Sequence, residues 1–172
     1  PNHLNLGIRY GYIEQLDDEL LRISKESFDA LSFNCYALSP DHEKMNHALE
    51  ISGLPMIIGE YHFGTVDRGL AQSLWQVNSQ KERGDAFRYY TENAFAHRGL
   101  IGTGWFRWID QNINGRTDGE NYNCGFIDVT DRPYPYMVDA AIETAKSLYE
   151  IHSGTKTPFH QAPNAVGHSP IP

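Results

Sequence analysis

Strand-like and helix-like segments alternate along this chain, and the alternation constrains its fold more than any other feature. Short apolar runs at residues 4–10, 29–34, 55–60 and 100–108 predict four strands. Apolar side chains at helical spacing predict helices from about residue 16, from about 41 to 53, over 80–97 and over 138–149. Because strands joined through helices run parallel, this order predicts an α/β fold of four βα units.

Two architectures fit this order of segments. One is a complete, open, doubly wound sheet, and the other is half of a TIM barrel, which needs eight βα units and about 250 residues. No glycine-rich phosphate loop supports a nucleotide-binding sheet. Residues 153–172 carry Gly, Pro, Thr and His without periodicity, which predicts a flexible tail after a domain at residues 1–152.

Charge and residue usage exclude several classes of partner. The net charge of −8 disfavours nucleic acid and anionic membranes, and no apolar run approaches the ~20 residues of a membrane helix. The eight histidines are scattered without paired ligand spacing, so we expect no metal and no cofactor. The chain begins without methionine, so the lack of a visible signal peptide says nothing about localisation.

In both architectures the functional edge is the carboxyl end of the strands. Glu60 is the most informative residue there, because it ends an apolar strand and is costly to bury without partners. It could also simply reach solvent or pair with Arg68. The other side chains at these ends combine polar groups with indoles, which suit a sugar; they are Arg9, Tyr10, Asn34, Tyr36, His62, Trp105, Trp108 and Asp110.

Several segments resemble one clan of retaining (β/α)8-barrel glycoside hydrolases. Residues 54–64 (LPMIIGEYHFG) resemble its seventh strand, which ends in the nucleophile, and residues 30–36 resemble the strand before it. Residues 104–111 resemble the eighth strand and residues 1–7 the start of the fifth. The nearest group is that of the β-agarases (glycoside hydrolase family 50), followed by related β-galactosidases; loops 115–123 and 128–135 share the likeness, which covers about residues 1–152.

The resemblance implies the C-terminal half of a TIM barrel and retaining cleavage of β-glycosidic bonds in a galactose-containing polysaccharide or oligosaccharide. Glu60 would be the nucleophile, and Tyr36 would donate a hydrogen bond to it. Trp105 or Trp108 would stack on the sugar, the two being expected on opposite faces of a regular strand. The remaining expected substrate contacts pair with sugar hydroxyls; they are Asn34, His62, Asp110 and Glu120.

The second catalytic carboxylate of the clan, the acid/base, sits in an Asn-Glu pair that this chain lacks at every strand end. Glu120 precedes an asparagine in a loop, and Glu92 precedes one within a helix. We therefore expect the missing N-terminal half of the barrel to lie upstream, and the fragment alone to be inactive and poorly soluble. Because agar-type polymers are too large to enter cells, we expect the parent protein to be secreted or periplasmic.

Other interpretations fit the same residues. The enzyme could be a β-galactosidase or another β-glycosidase of the clan, and arginines 9, 68, 107 and 116 leave a sulfated substrate open. A carbohydrate-binding protein without catalysis would keep Trp105, Trp108 and Asn34 but lack a working carboxylate pair. A complete doubly wound domain with a small-molecule site is the third alternative. His62 could be a structural histidine, and Tyr36 a rim aromatic.

Overall fold

Four parallel strands form the main sheet of the computed structural model, which describes residues 2–168. They are β1 (Arg9–Tyr10), β2 (Leu31–Asn34), β3 (Met56–Tyr61) and β5 (Leu100–Trp105). All four predicted strands are present, although the first is two residues long and the last ends at Trp105 rather than Trp108. The predictions for Pro1 and for residues 169–172 lie outside the described residues.

A helix follows each strand of this sheet. The helices are α1 (Asp18–Ser27), α2 (His42–Ser52), α3 (Gln80–Phe95) and α4 (Pro135–His152). Asp41 caps α2 by accepting from two backbone amides of its first turn. Gly53 ends the same helix with a φ of 68°, a left-handed conformation that glycine adopts without steric cost. Both predicted boundaries of α2 are confirmed.

The strands bury one face against the helices. Leu31, Phe33, Met56 and Ile58 alternate along β2 and β3, are fully buried, and join the core cluster that includes residues of all four helices. The side chains between them, such as Ser32 and Ile57, are partly exposed on the other face. The sheet is therefore covered by helices on one face and left more open on the other.

The strands lie in the order β1-β2-β3-β5, which follows the chain without reversal. A doubly wound sheet reverses its strand order at a switch point, and that reversal places helices on both faces. The sequential order with helices on one face is instead the local pattern of a singly wound sheet. The predicted α/β fold with a parallel sheet is confirmed, and the doubly wound alternative does not fit the described strands.

A small second sheet lies outside this pattern. It pairs β4 (Trp75–Gln76), within the connection after β3, with β6 (Val166–Gly167) in antiparallel register. The segment between α4 and β6 is also bonded to α3, since the backbone N–H of Phe159 donates to Glu92 Oε2 over 2.7 Å. Backbone pairing and a buried carboxylate thus connect residues 153–168 to the domain without apolar periodicity, where the sequence predicts a flexible tail from Ser153.

The long connection after β5 is held by a buried polar cluster on α3. Arg83 is fully buried and donates to Asn123 Oδ1 over 2.8 Å and to the Gly125 carbonyl. Its guanidinium lies 4.6 Å from the ring centroid of Tyr134. These contacts fix residues 109–134 against the helix. Within residues 2–168, no helix has the length and apolarity required to cross a membrane.

Candidate active site

A cleft of about 310 Å³ lies at the carboxyl ends of the parallel strands. Its walls combine four aromatic rings with four charged side chains. The lining residues are Arg9, Tyr12, Tyr36, Glu60, His62, Leu74, Phe106, Arg116 and Glu120. The strand ends therefore converge as the sequence predicts, and the cleft lies at the edge where parallel α/β folds place their sites.

Glu60 lies near the end of β3, and its two carboxylate oxygens have different partners. Oε2 accepts from Asn34 Nδ2 over 3.0 Å and from Tyr36 Oη over 2.8 Å. Oε1 pairs with the Arg9 guanidinium, whose side chain is about half exposed. One oxygen is thus held by two neutral donors, and the other faces a half-exposed cation.

The sheet itself brings Asn34 and Tyr36 to Glu60. The register between β2 and β3 shifts after Phe33, so that Asn34 lies beside Glu60. The backbone N–H of Cys35 then donates to the Glu60 carbonyl over 3.0 Å, which orients the next residue, Tyr36, toward the carboxylate. Burial, and then the hydrogen bond to Glu60, raise the pKa of Tyr36 well above its usual value, so its hydroxyl stays a donor at every working pH.

His62 lines the cleft, but both its ring nitrogens are used by the backbone. Nδ1 lies 3.1 Å from the Phe106 carbonyl, and Nε2 accepts from the Leu74 N–H over 3.1 Å. Burial lowers the pKa of His62 to about 3, so the ring is neutral. Protein groups thus satisfy both ring nitrogens, which leaves neither of them free for the sugar hydroxyl that the sequence analysis expects His62 to contact.

Glu120 reaches the cleft from the long loop after β5. Its Oε2 accepts from Gln111 Nε2 over 2.7 Å and lies 3.3 Å from Arg116 Nη1. The same guanidinium lies 5.7 Å from the ring centroid of Phe106. Arg116 and Phe106 thus form one wall with Glu120, and the structure brings Glu120 into the cleft of Glu60 as predicted.

The two predicted indoles do not line this cleft. Trp105 is partly buried in the aromatic core, and its Nε1 donates to the Cys124 carbonyl over 2.7 Å. Trp108 is 69% exposed and stacks on Phe126 with ring centroids 5.9 Å apart. Because β5 ends at Trp105, strand alternation does not extend to residue 108, and Phe106 is the aromatic residue of this segment that enters the cleft.

Asp110 is also displaced from its predicted role. It is 4% exposed, and its oxygens accept from Tyr134 Oη over 2.6 Å, from the Gly125 N–H over 2.7 Å and from Asn123 Nδ2. With these donors in place no oxygen is free for a substrate hydroxyl. Asp110 belongs to the buried cluster that fixes the loop after β5.

Sequence reasoning missed three cleft residues as site residues: Tyr12, Leu74 and Phe106. Phe106 had a usable signal, since it directly follows the strand end at Trp105. Tyr12 follows β1 in the same way. Leu74 had none, because it enters the cleft through a connection of 13 residues between β3 and β4 that carries no periodic pattern.

The chain matches known proteins in sequence and in fold. β-Agarase A of Vibrio sp. (strain JT0107) is 37% identical over 156 residues, which are 87% of this chain and 16% of the agarase. The solved structure of PfGH50B has a TM-score of 0.83 and 38% identity over 88% of this chain and 22% of that one. A solved exo-β-agarase has a TM-score of 0.82 and 36% identity over 91% of this chain and 21% of its own. No protein-family model matches the chain.

The similarity thus extends over most of this chain but over a small part of each relative. The chain spans 16% of the length of β-agarase A, so the relatives contain much more than the parallel sheet described above. The predicted resemblance is confirmed by sequence and by structure. The chain is therefore a homologue of one part of the β-agarases, enzymes of glycoside hydrolase family 50.

Proposed function

We propose that this chain supplies the nucleophile half of a retaining glycoside hydrolase acting on a galactose-containing polysaccharide, as the β-agarase names of its relatives suggest. The observation that carries the proposal is the setting of Glu60. A carboxylate at the end of a central strand is held by three donors at the bottom of an open cleft. Fixed orientation of an ionised carboxylate is what nucleophilic attack on a sugar requires.

In this mechanism one Glu60 oxygen attacks the anomeric carbon and forms a glycosyl ester as the bond to the leaving oxygen breaks. The leaving oxygen takes a proton from a second carboxylic acid. That group then removes a proton from water, which attacks the same carbon and releases Glu60. Tyr36 and Asn34 hold Oε2 throughout, so the oxygen that attacks is Oε1, after the sugar displaces the Arg9 side chain from it.

Glu120 is the only other carboxylate lining this cleft within residues 2–168, and its contacts suit a different role. Gln111 Nε2 over 2.7 Å and Arg116 Nη1 over 3.3 Å both contact its Oε2, whereas a general acid must present a proton to the leaving oxygen. We assign Glu120 to the binding of sugar hydroxyls. The acid/base carboxylate then comes from outside this chain.

The two edges of the sheet support a barrel that further protein completes. The edge strands β1 and β5 each have one paired neighbour within the described residues, and exposed strand edges are a liability unless another strand covers them. Closure of a (β/α)8 barrel needs four more βα units. We propose that these units pair with β1 and β5 and carry the acid/base residue to the side of the cleft opposite Glu60.

Three measurements on the full-length protein test the proposal. Proton NMR of the first product should show retained anomeric configuration. Glu60→Gln should lower kcat by more than about 10³-fold, because the amide cannot form the ester. Glu60→Gly should recover turnover of an activated substrate in azide, which would attack from the vacated side and give the glycosyl azide of opposite configuration.

A matched control is Glu143→Gln, since Glu143 is an exposed residue of α4 paired with Lys146. It should leave kcat unchanged. An inverted product, or full activity in Glu60→Gln, would overturn the assignment. Substrate binding without turnover in the wild-type protein would instead support the non-catalytic carbohydrate-binding alternative, and cleavage of short galactosides with no action on agarose would support the β-galactosidase alternative.

A further inference from the structure

Three walls of the Glu60 cleft come from separate parts of the chain and meet at His62. Tyr36 follows β2, Leu74 lies in the connection after β3, and Phe106 follows β5. The imidazole bonds to the Phe106 carbonyl through Nδ1 and to the Leu74 amide through Nε2, both over 3.1 Å. Its ring also meets the Tyr36 ring edge-on, with centroids 4.9 Å apart. His62 thus contacts all three walls.

These contacts determine the state of the imidazole. A carbonyl accepts and an amide N–H donates, so Nδ1 must carry the proton and Nε2 must carry the lone pair. A protonated ring could not accept from Leu74. The side chain is 2% exposed, and its burial disfavours the charged form, which keeps the ring in this single state at neutral pH.

Tyr36 depends on this arrangement for its orientation. Its hydroxyl donates to Glu60 over 2.8 Å, and its ring is bounded on one side by the imidazole. A shorter or more flexible side chain at position 62 would leave space beside the phenol ring. Interior groups hold their rotamers because neighbouring atoms fill the surrounding space, so that vacancy would let the hydroxyl move away from the carboxylate.

We propose that His62 is a positioning residue, which orients Glu60 through Tyr36 and fixes the Leu74 and Phe106 walls without touching the substrate or transferring a proton. This inference rests on the proposed glycosidase function, because it assigns a role within that same cleft. It differs from a substrate-binding or acid–base histidine in one measurable respect: its effect on kcat, as distinct from its hold on the two walls, passes through the Tyr36 hydroxyl.

A double-mutant cycle in the full-length enzyme tests this dependence. His62→Leu should lower kcat by about 10-fold in the wild-type background, no more than Tyr36→Phe does, and by less than about threefold in a Tyr36→Phe background, because neighbours that act together are not additive. Equal losses in both backgrounds would overturn the inference. His160→Leu, an exposed histidine away from the cleft, is the matched control and should leave kcat unchanged.

Two conservative variants keep the test valid if His62→Leu does not fold. His62→Asn retains a donor near the Phe106 carbonyl, and His62→Gln retains an acceptor near the Leu74 amide. Each should recover part of the kcat lost in His62→Leu, and the kcat–pH profile of each should keep the wild-type shape. Loss of an inflection between pH 5 and 8 would show a titrating histidine and refute the positioning role.

The control for the parent hypothesis is Glu60→Gln. If it abolishes turnover while the cycle is additive, the glycosidase assignment stands and the His62 inference fails. If Glu60→Gln stays active, the proposed function fails first, whatever the cycle shows.

Discussion

Replacing Tyr36 by phenylalanine removes one hydroxyl and tests how Glu60 is held. The hydroxyl donates to Glu60 Oε2 over 2.8 Å, and Asn34 Nδ2 donates to the same oxygen over 3.0 Å. A hydrogen bond to a charged group contributes about 1.5–3 kcal/mol. Since about 1.4 kcal/mol is a factor of ten in rate, full expression of this loss in the transition state would lower kcat by about 10- to 150-fold. Because Asn34 keeps its bond, we expect the lower half of that range.

Steady-state kinetics of the full-length enzyme on a soluble oligosaccharide would measure the effect. The Tyr36 hydroxyl points at Glu60, the proposed nucleophile, so kcat should fall while KM changes by less than about threefold. Tyr149→Phe is the matched control, because Tyr149 is 88% exposed on α4. A rise in KM at constant kcat would refute the reasoning, since it would mean that the hydroxyl binds the sugar rather than Glu60.

Three further predictions concern stability and are measured by denaturant unfolding. Asp110→Asn replaces one acceptor oxygen by an NH2 group that faces the hydroxyl and N–H donors around it, so the free energy of unfolding should fall by about 2–4 kcal/mol. A change below 0.5 kcal/mol, roughly the size of an ordinary surface substitution, would refute this buried role. Gly125→Ala places a methyl carbon 2.3 Å from the Asp110 nitrogen and from the Ile127 oxygen, so at least about 2 kcal/mol should be lost; an unchanged midpoint would show that the loop relaxes freely. The pKa of His62 is lowered to about 3 in the folded state from 6.5, so the free energy of unfolding should be unaffected by this group above pH 6.5 and should decrease as the pH falls toward 3, by about 3 kcal/mol at pH 4. His62→Gln should lose that part of the dependence of the unfolding free energy on pH between pH 7 and 4. The same pH dependence in both proteins would contradict a buried neutral imidazole.

The core of the candidate site could be predicted because it depends on short-range sequence and on sheet topology. Glu60, Asn34 and Tyr36 follow adjacent parallel strands, and parallel strands place their carboxyl ends at one edge. An apolar run that stops at a glutamate is visible in the sequence without any tertiary information. Convergence of the three residues then follows from the β-α-β order alone.

Other parts of the site depend on contacts between distant residues. Strand alternation predicted that the indoles at positions 105 and 108 lie on opposite faces of the sheet. However, β5 ends at Trp105, and Phe106 enters the cleft instead. Asp110 follows the same strand and was expected at the substrate, yet a tyrosine and a glycine of the later loop satisfy its oxygens. No local sequence pattern indicates that the irregular loop at residues 109–134 packs against α3.

The missed secondary structure has a similar cause. The β4–β6 pair joins two segments of two residues each, Trp75–Gln76 and Val166–Gly167, which are separated by about 90 positions. Two residues carry no recognisable period. Their pairing is determined by the folded surface onto which the last segment packs.

The return of this last segment has a practical consequence for anyone who handles the protein. The His168 amide donates to the Leu74 carbonyl over 2.8 Å, and Leu74 is itself a wall of the Glu60 cleft. The residues after α4 are thus connected by this hydrogen bond to the Glu60 cleft. An affinity tag fused close to position 168, or a protease cut between 153 and 165, would pull on or release that wall, so purification strategy alone could change measured activity.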